Sequence, residues 1–489
     1  SSNPNSFFDA SSSAIFSTGA HLAWFKYTFQ IAYGANYLAP YTDFLERVAM
    51  PKGGNVAYDQ GQFDIIASWF TRGLPLIEEK LPDDPAPTEC TPGVSGAVAT
   101  HVAESALAGW RAVNAQNGIL MHGCDPNSSD VFDCLSSYPS YSDNTFSESW
   151  AANVPNQQIR VLRESGYRSN FWTRSSADGR YVGHGARSGG TNDTGAASMI
   201  VDLARDFQIP GTAFYDPSFF PDNSGMIFQT GRAYMCNQSF LSTAESVTYN
   251  TEPECTFTDN IALYQHVGAN VSSGDYWAVA GQFTSDNGQG RTFSDPSASF
   301  SSTSTARLTP IVHDGSGYVA GSRITKSTPY EGDTIMSASS KMLLSRLRGS
   351  GGSQLGFVMR QMTATETPQG YDVELAEVAR YCFNGGKPAF SYDDRWLVLH
   401  HYIGNDDAVD LGFSSSSDPG FSPYQNDGAA NIYLIDTLTG EVTRITTMNA
   451  GEYALFPHFR SDGWIYFMVR SVNYPGEYIV ASDAALRLE

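Results

Sequence analysis

The chain has 489 residues, enough for two or three domains and a large core. Only 16% of them are charged, while Gly, Tyr and Phe number 45, 26 and 29, a profile that suits turns and aromatic-rich strands better than long solvated helices. The net charge of −22 repels polyanions, which excludes nucleic acid and an anionic membrane as partners, and no run of about 20 apolar residues exists to span a bilayer.

The chain opens Ser1-Ser2-Asn3-Pro4-Asn5, with neither an initiator Met nor a leader. It reads as a mature exported protein, periplasmic or extracellular, whose signal peptide or lipid-bearing first residue is already removed. Residues 1–80 follow a helical period: Ile15, Leu22, Phe25, Phe29 and Tyr33 fall on one face. Phe63, Ile66 and Phe70 share the face of a second helix, which Gly73 and Pro75 stop. The run Leu45-Glu46-Arg47-Val48-Ala49-Met50-Pro51-Lys52-Gly53-Gly54, followed by that helix, resembles the later half of a small c-type cytochrome. The resemblance implies an axial haem role for Met50. The CxxCH that attaches haem is absent, however, and His21, the only histidine upstream, has no cysteine beside it. The expectation is a haem-less α-helical domain with Met50 in its core.

Residues 81–156 hold a third predicted helix, Gly96–Val113, inside a connector rich in Pro, Ser, Asp and Asn. Nine residues separate Cys124 from Cys134 and eighteen separate Cys236 from Cys255, loop lengths that disulfides close readily. Cys90 and Cys382 remain, as a domain-linking bridge or as free thiols, and six cysteines permit fifteen pairings.

From 157 to 489 the pattern turns to strands. One phrase recurs: Pro388-Ala389-Phe390-Ser391-Tyr392-Asp393-Asp394 before Trp396–Leu399, Pro457–Gly463 before Ile465–Phe467, and Pro217–Asn223 before Met226–Phe228. Each is a short strand, a polar turn and a second apolar strand. Weaker copies are read at Arg174–Val182 and Pro310–Gly315, and the least secure at Gln282–Asn287. A complete unit runs from Trp396–Tyr402 through Asn431–Asp436 and Glu441–Thr446, with Asp406–Gly428 as a long loop between its first two strands. This order resembles the TolB-like (PD40/WD40-like) β-propeller repeats. The resemblance implies a mainly β, six-bladed propeller, with seven blades as the alternative, behind the small α-helical domain. Gln158–Arg163 has the profile of an outer strand that joins the last blade and closes the ring.

Nine histidines are few for this length. His458 sits on a predicted innermost strand, while His400, His401 and His184 lie on second strands. His458 and His401 are the candidate ligands for copper or manganese, and Lys387 the candidate cation at the channel mouth. Counted from the turn Asp, His184 and His400 project to opposite strand faces. No cofactor is predicted; a divalent metal ion is the alternative. No nucleophile elbow, HExxH or Walker sequence occurs. The expected function is a protein-binding scaffold of an envelope or extracellular assembly, leaning away from an enzyme. The alternatives are a metal-dependent redox or lyase enzyme using the channel histidines, and a glycan-binding module using Phe421 and Tyr424.

Overall fold

The computed structural model describes residues 86–105, 135, 138–142, 150–165, 169, 172–185, 198–212, 217–229, 233–248, 252–253, 255–258, 266–270, 275–281, 300, 304–349, 353–368, 370–472 and 477–488. The helices predicted within 1–80, Met50, residues 106–113 of the third helix, the Cys124–Cys134 pair and the copy at Gln282–Asn287 fall outside them.

Among the described residues the strands form six successive antiparallel meanders. Sheet I comprises Thr173–Ser175, Tyr181–Gly185, Ser198–Asp202 and Phe207–Gly211, and sheet II Ser218–Phe219, Gly225–Gln229, Ala233–Asn237 and Cys255–Thr258. Sheet III comprises His266–Asn270, Asp275–Gly281 and Thr305–His313, the last flanked by both Tyr318–Ala320 and Ile324–Ser327. Sheet IV holds Glu331–Met336, Met342–Arg348 and the long hairpin Gln354–Thr367 and Gly370–Tyr381. Sheet V holds Gly386–Phe390, Trp396–Tyr402, Ala430–Asp436 and Val442–Arg444. Sheet VI holds Glu452–Phe459, Ile465–Ser471, Glu477–Ser482 and, from far upstream, Ile159–Ser165.

Middle strands such as Ala430–Asp436 are buried along their whole length. Such strands are covered on both faces and read as largely apolar runs, whereas outer strands such as Ile324–Ser327 alternate in burial. The first strand of every sheet lines one central cavity, and the first strand of sheet VI packs on those of both sheet V and sheet I. Neighbouring sheets radiating from a shared axis make this a mainly β propeller.

Closure follows the predicted route. Ile159–Ser165 pairs with Glu477–Ser482, from Ile159 opposite Ser482 to Ser165 opposite Glu477. The register is held by the Gln158 N–H donating to Asp483 Oδ1 at 2.6 Å and by Gln157 Nε2 donating to Ser482 Oγ at 2.8 Å. A second link crosses the seam at the turns, where the Ser461 N–H donates to the Ala177 carbonyl at 3.0 Å.

Two phases of the repeat differ from expectation. Pro310–His313 ends the third strand of sheet III, so Asp314 and Gly315 form a turn between outer strands and not an inner one. The inner strand of sheet IV, Glu331–Met336, leads into Ser337-Ala338-Ser339-Ser340, a copy in which serine replaces the turn aspartate and which therefore escapes the sequence pattern.

Upstream, Cys90 bonds to Cys382, and Gly93–Val94 adds a fifth strand to sheet IV opposite Arg380 and Ala379. Residues 96–105 are helical and sink Val98 and Val102 into the core with Phe357 and Tyr381. The Cys236–Cys255 bridge crosses the outer strands of sheet II, as the spacing predicts.

Leu162 on the closing strand is fully buried against Trp464, Leu455 and Ile479. Leu162→Ala is expected to cost about 2–5 kcal/mol and to lower the thermal midpoint, as scanning calorimetry measures. An unchanged midpoint would show that the closing strand contributes nothing to the ring.

Candidate functional site at the propeller axis

The turn after each inner strand decides what reaches the axis. In sheet I the Ser176 N–H donates to the Tyr181 carbonyl at 2.9 Å and the Gly179 N–H to the Ser176 carbonyl at 2.8 Å. Ser176 Oγ donates to Asp178 at 2.5 Å and accepts from the Tyr181 N–H at 3.1 Å. Sheet V repeats this: Ser391 bonds to Trp396 through its N–H (2.8 Å) and Oγ (2.9 Å), and to Asp393 through Oγ (2.6 Å). In sheet IV Ser337 does the same with Met342, and Ser339 stands in for the aspartate, its Oγ 2.8 Å from that of Ser337. The fourth turn residue takes a left-handed backbone each time: Gly179 at φ 71°, Asn223 at 62°, Ser340 at 61°, Asp394 at 59° and Gly463 at 94°. Short polar residues and glycine bear that conformation best, which is why the phrase ends so variably.

Counting back from these turns sets a common level along the axis. Two residues before Ser176, Phe220, Ser337, Ser391 and Arg460 lie Arg174, Ser218, Ile335, Ala389 and His458. All five line a cavity of about 100 Å³. Trp172 and His266 line it on the side away from the turns, and Tyr392 lines it at the turn end.

His458 is 7% exposed. Its Nδ1 lies 3.2 Å from the Phe456 carbonyl, which only accepts, so Nδ1 carries the proton and Nε2 presents a lone pair. That Nε2 has no hydrogen-bond partner. Burial, opposed by the Phe456 hydrogen bond and aided by the Arg174 charge, holds the ring near pKa 4. Arg174 donates from a terminal guanidinium nitrogen to His266 Nε2 at 3.0 Å, so His266 is neutral, and burial together with the Arg174 and Lys387 charges keeps it so.

The other predicted residues serve different ends. His184 is opposite Thr173 in sheet I, buried, with neither ring nitrogen bonded; burial, then the His458 charge, pushes it down to about 3. Sheets I and V align Tyr181 with Trp396, so His184 matches Leu399 and projects from the opposite face to His400. His400 Nδ1 accepts from the Phe456 N–H at 3.3 Å. His401 is engaged on both sides, by Asp407 at 2.9 Å and the Asn384 carbonyl at 2.5 Å, and stands outside the channel lining. Lys387 lays its ammonium 3.8 Å from the centre of the Trp172 ring and 3.5 Å from Asp333. Among the described residues no three His, Cys, Asp or Glu side chains converge as metal ligands.

The aromatic pair named for glycan binding is not an exposed platform. The 405–427 insertion folds a short helix, Ser422–Asp427, that stacks Phe421 on Tyr424 and packs both against Phe413. Phe421 is 1% exposed, because the insertion uses these rings as its own small core. Sequence reasoning missed Arg174 and His266. Arg174 lies two residues before the Ser176-Ala177-Asp178-Gly179 turn, so the register already on hand would have placed it beside His458.

No family model and no curated protein matches the chain. Among solved structures it is similar to TolB from Acinetobacter baumannii, at 12% identity over 59% of this chain and 57% of that one, with a TM-score of 0.34. It is also similar to the β-propeller domain of Cps50 (Swd1) from Myceliophteria thermophila, at 9% identity over 66% and 99%, with a TM-score of 0.36. An oligogalacturonate lyase from Vibrio parahaemolyticus matches at 11% identity over 68% and 96%, with a TM-score of 0.34. The chain thus spans 57% of the length of the TolB structure it matches.

Because His184 and His458 are neutral when folded and titrate near 6.5 when unfolded, protonation favours the unfolded chain. Their contribution is complete above pH 6.5 and declines as pH falls toward 4 for His458 and 3 for His184, by about 1.4 kcal/mol per pH unit for each ring. His184→Gln should therefore lose less stability than the parent between pH 7 and 4.5, measured as urea midpoints. Parallel losses in the two proteins would contradict the assignment.

Proposed function

We propose that the protein is an exported six-bladed propeller that works as a protein-binding scaffold in an envelope or extracellular assembly. One observation carries this reading: the axial cavity is about 100 Å³, below the roughly 300–1,000 Å³ of sites that enclose a drug-sized ligand. A polymer or a peptide does not fit there, so recognition of a macromolecule falls to the outer surface. The blade count rests on the six meanders and the closing strand. Export is supported by two disulfides, Cys90–Cys382 and Cys236–Cys255, which persist in oxidising compartments. Two features extend beyond four-stranded blades and offer contact area: the end of the sheet IV hairpin, with Thr363–Glu366 exposed, and the 405–427 insertion of sheet V.

The test combines partner capture with elemental analysis. The native protein is expected to co-purify with one stoichiometric protein, unaffected by His458→Phe and at least tenfold weakened when residues 366–371 are replaced by a two-glycine turn between the paired Thr365 and Asp372. Stoichiometric copper or manganese that leaves in His458→Ala would overturn the scaffold in favour of a metal-dependent redox or lyase enzyme.

A further inference from the structure

The axis of this acidic chain is not acidic. Among the described residues lining the channel none is Asp or Glu, whereas Arg174 brings a buried guanidinium to it. His458 Nε2 is a bare acceptor at the same level. An Arg with a bonded His266 behind it and a lone-pair acceptor form a mixed donor and acceptor set. A divalent cation is disfavoured there by the guanidinium, and a bare carboxylate leaves Nε2 unsatisfied.

We propose that the channel binds a small oxyanion that also carries a hydroxyl, its oxyanion on Arg174 and its O–H donating to His458 Nε2. Hydrogen phosphate and short 2-hydroxycarboxylates have this chemistry, and by volume they suit a cavity that holds several waters. The surrounding charges define the approach. At the turn end Tyr392 closes the lining; burial first, then Asp178, Asp222 and Asp462, raise its pKa, so that mouth is negative and its phenol stays protonated. At the other end Lys387 and Arg346 outnumber Asp333, which they hold near pKa 2 against its burial. The anion enters from the Trp172 and Lys387 side. His458 remains neutral above about pH 4 and keeps its acceptor through the neutral range.

This inference is independent of the scaffold reading, since a ligand on the axis leaves the outer surface free. The experiment is calorimetric titration of the whole protein with sodium phosphate, glycolate and acetate at pH 7, alongside the ¹⁵N resonance of His458 Nε2. The expected result is 1:1 binding of phosphate or glycolate, acetate at least tenfold weaker, and a shifted Nε2 resonance. Whichever of phosphate and glycolate binds tighter identifies the class. Arg174→Gln should weaken binding at least tenfold, and His458→Phe should abolish the preference for glycolate over acetate. If glycolate and acetate bind alike, if no heat is seen at millimolar anion, or if Nε2 does not move, the proposal is overturned. The resonance decides the matter even where a variant fails to fold.

Discussion

Everything at the axis depends on one turn. In sheets I, IV and V a serine at the end of the inner strand bonds through both its amide and its hydroxyl to the start of the next strand, in sheets II and VI Phe220 and Arg460 make the amide bond alone, and a residue in left-handed conformation completes each of these reversals. Because the side-chain period of a strand is two, this clamp fixes which residues share a level and which face they take. Slipping one turn by a residue would carry Arg174 or His458 into a blade interior and bring a neighbour to the axis. The turn is thus both the unit of folding and the device that positions the candidate site. It also tolerates variation where its geometry allows: Ser339 replaces aspartate, and Asn223, Ser340 and Asp394 replace glycine.

The channel concentrates an electrostatic contrast. The chain carries −22 overall, yet its turn carboxylates stay outside the channel lining and are hydrogen-bonded where they stand, Asp178 and Asp393 by their own serines and Asp222 by Ser224 and Tyr276. What remains on the axis is Arg174 with neutral imidazoles. Neutral histidine is the cheaper state in such a place, since burial penalises the charged ring and the guanidinium adds to the penalty. The net acidity of the chain and the buried cation on its axis are therefore separate parts of the charge distribution.

The ring is closed by a strand from upstream, and the segment before that strand is fastened to the propeller separately. Ile159–Ser165 supplies the last strand of sheet VI, so the sheet edge that would otherwise template aggregation is paired. The Cys90–Cys382 bridge then binds the preceding segment to sheet IV, across 292 positions of sequence, and His101 meets Asp394 at 2.7 Å beneath the sheet V turn. The segment before the propeller is in this way fastened to it by a strand, a disulfide and a buried polar contact.

Local chemistry was enough to reveal the mainly β architecture, the turn phrase at 217–223, 388–394 and 457–463, the Cys236–Cys255 bridge and the closing strand, because each is written in neighbouring residues or in a repeated pattern. The pattern failed where the physics is satisfied by other residues: Ser337–Ser340 keeps the clamp without its aspartate, and Pro310–Gly315 carries the letters of the phrase on an outer hairpin. The aromatic insertion misled for a similar reason, since composition cannot say whether Phe421 faces solvent or Tyr424. The site was half legible. His458 came from its place in the phrase, but Arg174, His266 and Trp172 meet it only through tertiary closure, when residues nearly 300 positions apart are brought around one axis. Sequence by itself determined the repeating strand, turn and strand that must pair; the ring decided which side chains face one another, because that depends on how successive sheets pack around the axis and not on any stretch within them.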